Sequence, residues 1–321
     1  MDRHIRFAVL ILVLVALIFT GCAPGEEQSA ESTTLDIIDP TATTPPTAEP
    51  TETPKPPETP TPTPLPGEQV IPLEDFQEGI PWLPFDESRV PMTYFVIFNK
   101  EIPPFDNPLV CQAFIAAIDK SEIIEYSKKY NAPLVIDPQP ATNFIPPEVL
   151  GRDLFGEVGI PFNPERALEL FAQAGYSDGN EFPEVTLVVN VSNDLAKGIH
   201  LAAGKKMAEM WFDTLGVEVT VDIELWENFR DRITENPPEM IRVGWTADYQ
   251  DPQNFMNDLF GLDSGRNYGG YSDPDFYDLI GQASEISDPL QRQLLYIEAD
   301  RIISETNPAV IPIFHAFYDK R

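Results

Sequence analysis

Asp248 is the residue whose setting most plainly offers chemistry. It stands between Trp245 and Tyr249 in Trp245-Thr246-Ala247-Asp248-Tyr249-Gln250-Asp251-Pro252. A carboxylate flanked by aromatic rings suits a cationic group such as an amine. A second reading stays open beside it: an Asp in a turn can spend its oxygens on neighbouring backbone amides. The elements that must position this group are legible on either side. Residues 240–243 favour a strand, residues 244–250 form a polar-aromatic turn, and Asp251-Pro252 reads as a helix N-cap with Pro at the first helical position. A strand therefore delivers a loop to a helix, at the end of the strand where α/β proteins place ligand contacts.

Other signals for chemistry are weaker. Gly175-Tyr176-Ser177-Asp178-Gly179 fits the Gly-x-Ser-x-Gly hydrolase pattern. A nucleophile elbow needs strand, turn, then helix, whereas this segment follows a predicted helix and precedes a predicted strand. Cys111 sits in a helical pattern between Val110 and Ala113, with no His or Lys beside it in sequence, and reads as a buried small hydrophobe. His4, His200 and His315 lie far apart without zinc-ligand spacing, and His315 reads as a core or turn histidine. Neither a phosphate-cradling Gly loop nor a dinucleotide fingerprint occurs. A binding protein is expected rather than an enzyme, with no metal and no cofactor. The net charge of -31 excludes nucleic acid and anionic lipid surfaces as partners.

Three regions follow from composition. Residues 1–21 carry basic Arg3 and Arg6, then an apolar run from Phe7 to Phe19, which is too short to span a bilayer and reads as a signal peptide. Thr20-Gly21-Cys22 resembles a bacterial lipobox, with Phe19 where Leu is usual. That resemblance implies that Cys22 is diacylated and becomes the mature N-terminus, anchored to the cell membrane and facing the periplasm or cell exterior. Cys22, so occupied, leaves Cys111 without a disulfide partner. Residues 22–68 are rich in Pro, Thr and Glu and read as a disordered, extended spacer. Residues 69–321 are globular in composition.

Within the globular part, strands are predicted at residues 94–98, 185–191, 217–225, 240–243 and 309–315. Helices are predicted at 109–118, 121–130, 165–174, 226–234, 273–286 and 288–305, with Ser121 capping the second. Leu195, Ile199, Ala202, Ala203, Met207, Met210 and Trp211 repeat at helical spacing and read as core. The alternation of strands and helices indicates an α/β layered domain.

The Trp245-to-Pro252 segment, with Asn267-Tyr268-Gly269-Gly270-Tyr271-Ser272-Asp273, resembles the extracellular solute-binding proteins of family 5. Asn99, Pro103, Pro104, Phe105, Asp106, Val110, Gln112, Ala113 and Ala117-Ile118-Asp119 extend the likeness, with Cys111 where the family has Arg. Asp106 and Asp119 read as cap or ion-pair residues. The resemblance implies a single periplasmic-binding-protein-like (type II) lobe, with a mixed sheet and flanking helices, corresponding to the family's C-terminal lobe. It also implies a solute-binding component of a peptide ABC importer, with Asp248, Trp245 and Tyr249 contacting a peptide or small cationic solute. ABC permease subunits, and a second protein supplying the missing lobe, are the implied partners. The alternative is a non-transport surface interaction or sensor module built on one lobe.

Overall fold

The computed structural model describes residues 88–129, 135–177, 179–191, 194–235 and 237–319. The signal peptide, Cys22 and the spacer lie outside the described residues.

The element order is β1 (Arg89–Phe98), α1 (Pro108–Ala116), α2 (Lys120–Lys128), β2 (Ile136–Pro140), α3 (Pro147–Leu150), α4 (Pro164–Gln173), β3 (Val185–Val191), α5 (Asp194–Leu215), β4 (Val219–Leu225), α6 (Trp226–Glu235), β5 (Met240–Thr246), α7 (Gln253–Phe260), α8 (Pro274–Glu285), α9 (Pro289–Arg301) and β6 (Val310–Asp319). The strands form one mixed sheet in the order β2-β6-β1-β5-β3-β4. β1 runs antiparallel to β5 and β6, and β3 runs parallel to β4 and β5. This is the expected mixed sheet with flanking helices.

β1 is buried along nearly its whole length because helices cover both faces of the sheet. Met92, Tyr94, Val96 and Phe98 enter one apolar cluster, together with Phe114, Phe171 and Trp211. Phe95 and Ile97 enter the other, with Phe144, Phe255 and Phe260. The predicted α5 stripe is core at Ala202, Ala203, Met207, Met210 and Trp211, while Ile199 is only partly buried and the Leu195 side chain lies outside the described residues.

Side-chain caps set most helix starts. Asn107, Asn163, Asp273 and Asp288 each accept a hydrogen bond from a first-turn amide and precede a Pro in the first turn. α2 departs from expectation, because Asp119, not Ser121, is its cap. Asp119 accepts from the amides of Ser121 and Glu122, which puts Ser121 inside the first turn. Two elements were not expected. β2 holds Pro138 and Pro140 and is an edge strand, where a missing N–H is tolerated. α3 is a single turn ended by Gly151 at φ +80°.

Candidate functional site

The loop between β5 and α7 is tied down at several points. At its start, the Ala247 amide donates to the Pro91 carbonyl at 2.8 Å. Next, the Gln250 side chain donates to the Glu148 carbonyl at 2.9 Å. At the far end, Asp251 accepts from the Gln253 amide at 2.8 Å and pairs with Arg292 at 2.8 Å. The start of α7 departs from expectation by one residue: Pro252 stands at the cap position and Gln253 opens the helix, with Asp251, one residue earlier, accepting the Gln253 amide.

Asn254, fully buried on α7, organises the centre of the loop. Its Oδ1 accepts from the indole N–H of Trp245 and from the Asp248 amide, both at 3.0 Å. Its Nδ2 donates to Asp258 Oδ2 at 2.9 Å. Sequence reasoning missed Asn254; its place in the first turn, nine residues after Trp245, was the available signal.

The structure brings the Trp245 indole and the Asp248 backbone amide to one amide oxygen, and Tyr249 joins the same network through Asp258. The Tyr249 hydroxyl donates to Asp258 at 2.8 Å, and its pKa is raised by partial burial and then by that carboxylate. The Asp248 side chain is exposed, and its carboxylate has no partner among the described residues. Backbone capping by Asp248 is therefore not what the structure contains: the amide of Asp248 is bound, and its carboxylate is left for something else. One face of Trp245 is taken by Arg266, whose guanidinium carbon lies 5.2 Å from the ring centroid. Arg266 lines a concavity of about 390 Å³ with Asp258, Leu262 and Asp263.

A second charged group was also missed. Arg242, on β5, is 5% exposed and stacks on the Tyr94 ring at 3.9 Å. It donates to Asn190 Oδ1 at 2.9 Å, and no carboxylate pairs with it among the described residues. Burial lowers its pKa, and burial together with this cation lowers that of His200, which lies 3.4 Å from the Tyr94 hydroxyl. One strand and its loop thus carry a buried unpaired cation and an exposed unpaired anion.

The remaining candidates resolve into structure. Cys111 is buried and donates to the Phe105 carbonyl at 3.2 Å, and burial pushes its thiol up to about 11. Lys100, absent from its sequence neighbourhood, donates to its sulfur at 3.4 Å. Ser177 lies between α4 and β3, the wrong order for a nucleophile elbow. His315 is buried beside Thr93 at 3.0 Å; since the Thr93 hydroxyl donates to the Phe144 carbonyl, His315 Nδ1 is the donor to Thr93.

Residues 59–267, more than half of the chain, match the model of the bacterial extracellular solute-binding proteins, family 5 Middle. The chain is 29% identical over 252 residues to the periplasmic oligopeptide-binding protein OppA of Salmonella typhimurium, covering 76% of this chain and 44% of that protein. It is 30% identical over 232 residues to heme-binding protein A of Haemophilus influenzae, covering 69% and 39%. Among solved structures it resembles a dipeptide-binding protein from Pseudoalteromonas sp. SM9913 in complex with Met-Leu, with a TM-score of 0.59 and 26% identity, over 72% of this chain and 44% of that one. The chain thus spans under half the length of these relatives. The names of these relatives describe binding proteins, not enzymes. Fold and family match agree, and the chain belongs to the bacterial extracellular solute-binding proteins, family 5.

Proposed function

We propose that this chain is the membrane-anchored solute-binding component of a peptide ABC import system, and that Asp248, with Trp245, receives the ligand's amino group. The observation that carries this reading is the exposed, unpartnered carboxylate of Asp248 on a loop whose backbone is held by buried Asn254. A loop whose backbone is already held binds with a smaller ordering cost. Unpaired Arg242 and Asp248 match in sign the two ends of a zwitterionic peptide. Tyr249 serves the site indirectly, by bracing the loop against Asp258.

In this proposal residues 1–21 direct export, Cys22 carries the lipid, residues 22–68 are the spacer, and residues 69–321 bind ligand and meet the permease subunits. Among the described residues no helix is long and apolar enough to cross a membrane. A second protein surface closes over Asp248, because closure decides affinity. Unit charges about 4 Å apart are worth about 1 kcal/mol in water and about 4 kcal/mol at an effective dielectric of 20.

Thermal unfolding of the chain, titrated with a mixed pool of di- to pentapeptides, tests the binding reading. A saturable rise in midpoint that Asp248→Asn abolishes is expected. A flat response from a cooperatively folded protein would end it and favour a surface interaction module. The anchor is tested separately: Cys22→Ala should abolish palmitate labelling and release the chain from the membrane fraction.

A further inference from the structure

Arg266, seated over Trp245, is a charged neighbour of the Asp248 loop that the proposed function leaves unused. Its backbone is held in the turn after α7: its amide donates to Ser264 Oγ at 3.1 Å, and its carbonyl accepts from the Tyr268 amide at 2.8 Å. Its guanidinium lies over Trp245 at 5.2 Å and pairs with no carboxylate among the described residues. The Trp245 indole N–H and the Asp248 backbone amide share the Asn254 oxygen, so Arg266, seated on Trp245, flanks the loop that carries Asp248. Yet Arg266 and Asp248 do not pair with each other. Arg266 thus stands between the Trp245 ring and a concavity of about 390 Å³ that it lines.

A ligand amine directed at Asp248 would bring its own first side chains close to Arg266. A basic side chain there meets like charge and finds the Trp245 face already occupied by a cation. An acidic one meets a free guanidinium, which is suited to bidentate recognition of a carboxylate. We propose that Arg266 is a specificity-determining residue of this site, favouring peptides with an acidic group beside the amino terminus and disfavouring those with a basic one. The inference rests on the amine-binding reading of Asp248. The site is solvent-exposed, so each charge contact changes affinity by about fivefold, the value of one unit-charge contact in water.

The test is calorimetric titration of the full chain, in detergent, with Ala-Glu-Ala, Ala-Gln-Ala and Ala-Lys-Ala. The wild type should bind in the order Glu, Gln, Lys, with steps of about fivefold. R266Q should collapse that order while retaining binding, R266K should restore it in part, and D248N should lose all three ligands. A merely structural Arg266 would shift all three affinities together and leave their order intact. Equal wild-type affinities, or an order that survives R266Q, would overturn the role of Arg266 and leave the Asp248 reading standing. No saturable binding of any peptide by the folded wild type would overturn both.

Discussion

Asn254 and Asp248 are adjacent in space but carry opposite burdens. Asn254 satisfies two donors and uses one of its own while fully buried. Asn254→Ala should therefore cost about 2–3 kcal/mol in urea unfolding, because it strands the indole N–H and the Asp248 amide together and takes one of the two donors from Asp258. Asp248→Asn removes an exposed group without partners and should change stability by less than about 0.5 kcal/mol while abolishing the peptide response. Lys120 supplies a pH-dependent case. It is buried, with the Ile160 carbonyl as its partner, and burial pushes its pKa down from 10.5 to about 7. Between these values the unfolded chain binds the proton and the folded chain does not, so stability rises with pH across the window and falls as pH drops toward 7. Lys120→Met should flatten this slope and stabilise the protein by about 1–3 kcal/mol at pH 7, with little effect near pH 10.5. Urea midpoints at pH 7, 8.5 and 10 would show it, and an unchanged slope would clear Lys120.

Among the elements, α7 matters most, since its first turn carries Gln253 and Asn254 under the loop and Asp251 stands just before it. Asp251→Ala should cost about 1–2 kcal/mol, from the lost bond to the Gln253 amide and a half-buried pair with Arg292, and part of that cost should vanish at high salt. The same variant should weaken peptide binding, because the loop loses its distal tether. Asn163→Ala removes the cap of α4, which packs on the opposite face of the sheet, and should cost about 1 kcal/mol without altering the peptide response. Denaturation and calorimetry on the two variants separate anchoring of the site from general stability. Asx-Pro pairs made these helix starts readable in advance, because capping involves residues within one turn. β2 was unreadable, because its prolines argue against a strand until its edge position is known.

At the scale of the molecule, β1 is central, paired on both sides and covered on both faces, whereas β4 is an edge with alternating exposure. Amide exchange should therefore be slowest at Val96–Phe98 in β1 and fastest among the strands at β2 and β4. Exchange in β4 as slow as in β1 would mean that its free edge is covered in solution. The loop end of β5 is less self-sufficient: its backbone is tied down, but the Asp248 carboxylate lies open to solvent.

The sequence by itself determined the α/β class, the capped starts of α1, α4, α8 and α9, the core stripe of α5 and the family, down to Asp248 on a loop after a strand. These follow from periodicity, from capping and from motifs contiguous in the chain. Tertiary structure alone decided what each side chain does with its valences. It turned Tyr249 onto Asp258, seated Arg266 on Trp245, buried Arg242 against Tyr94 and Asn190, and placed Lys100 at Cys111. Those outcomes depend on which residues of separate elements arrive at the same place, and that is set by sheet order and packing, which no local pattern encodes.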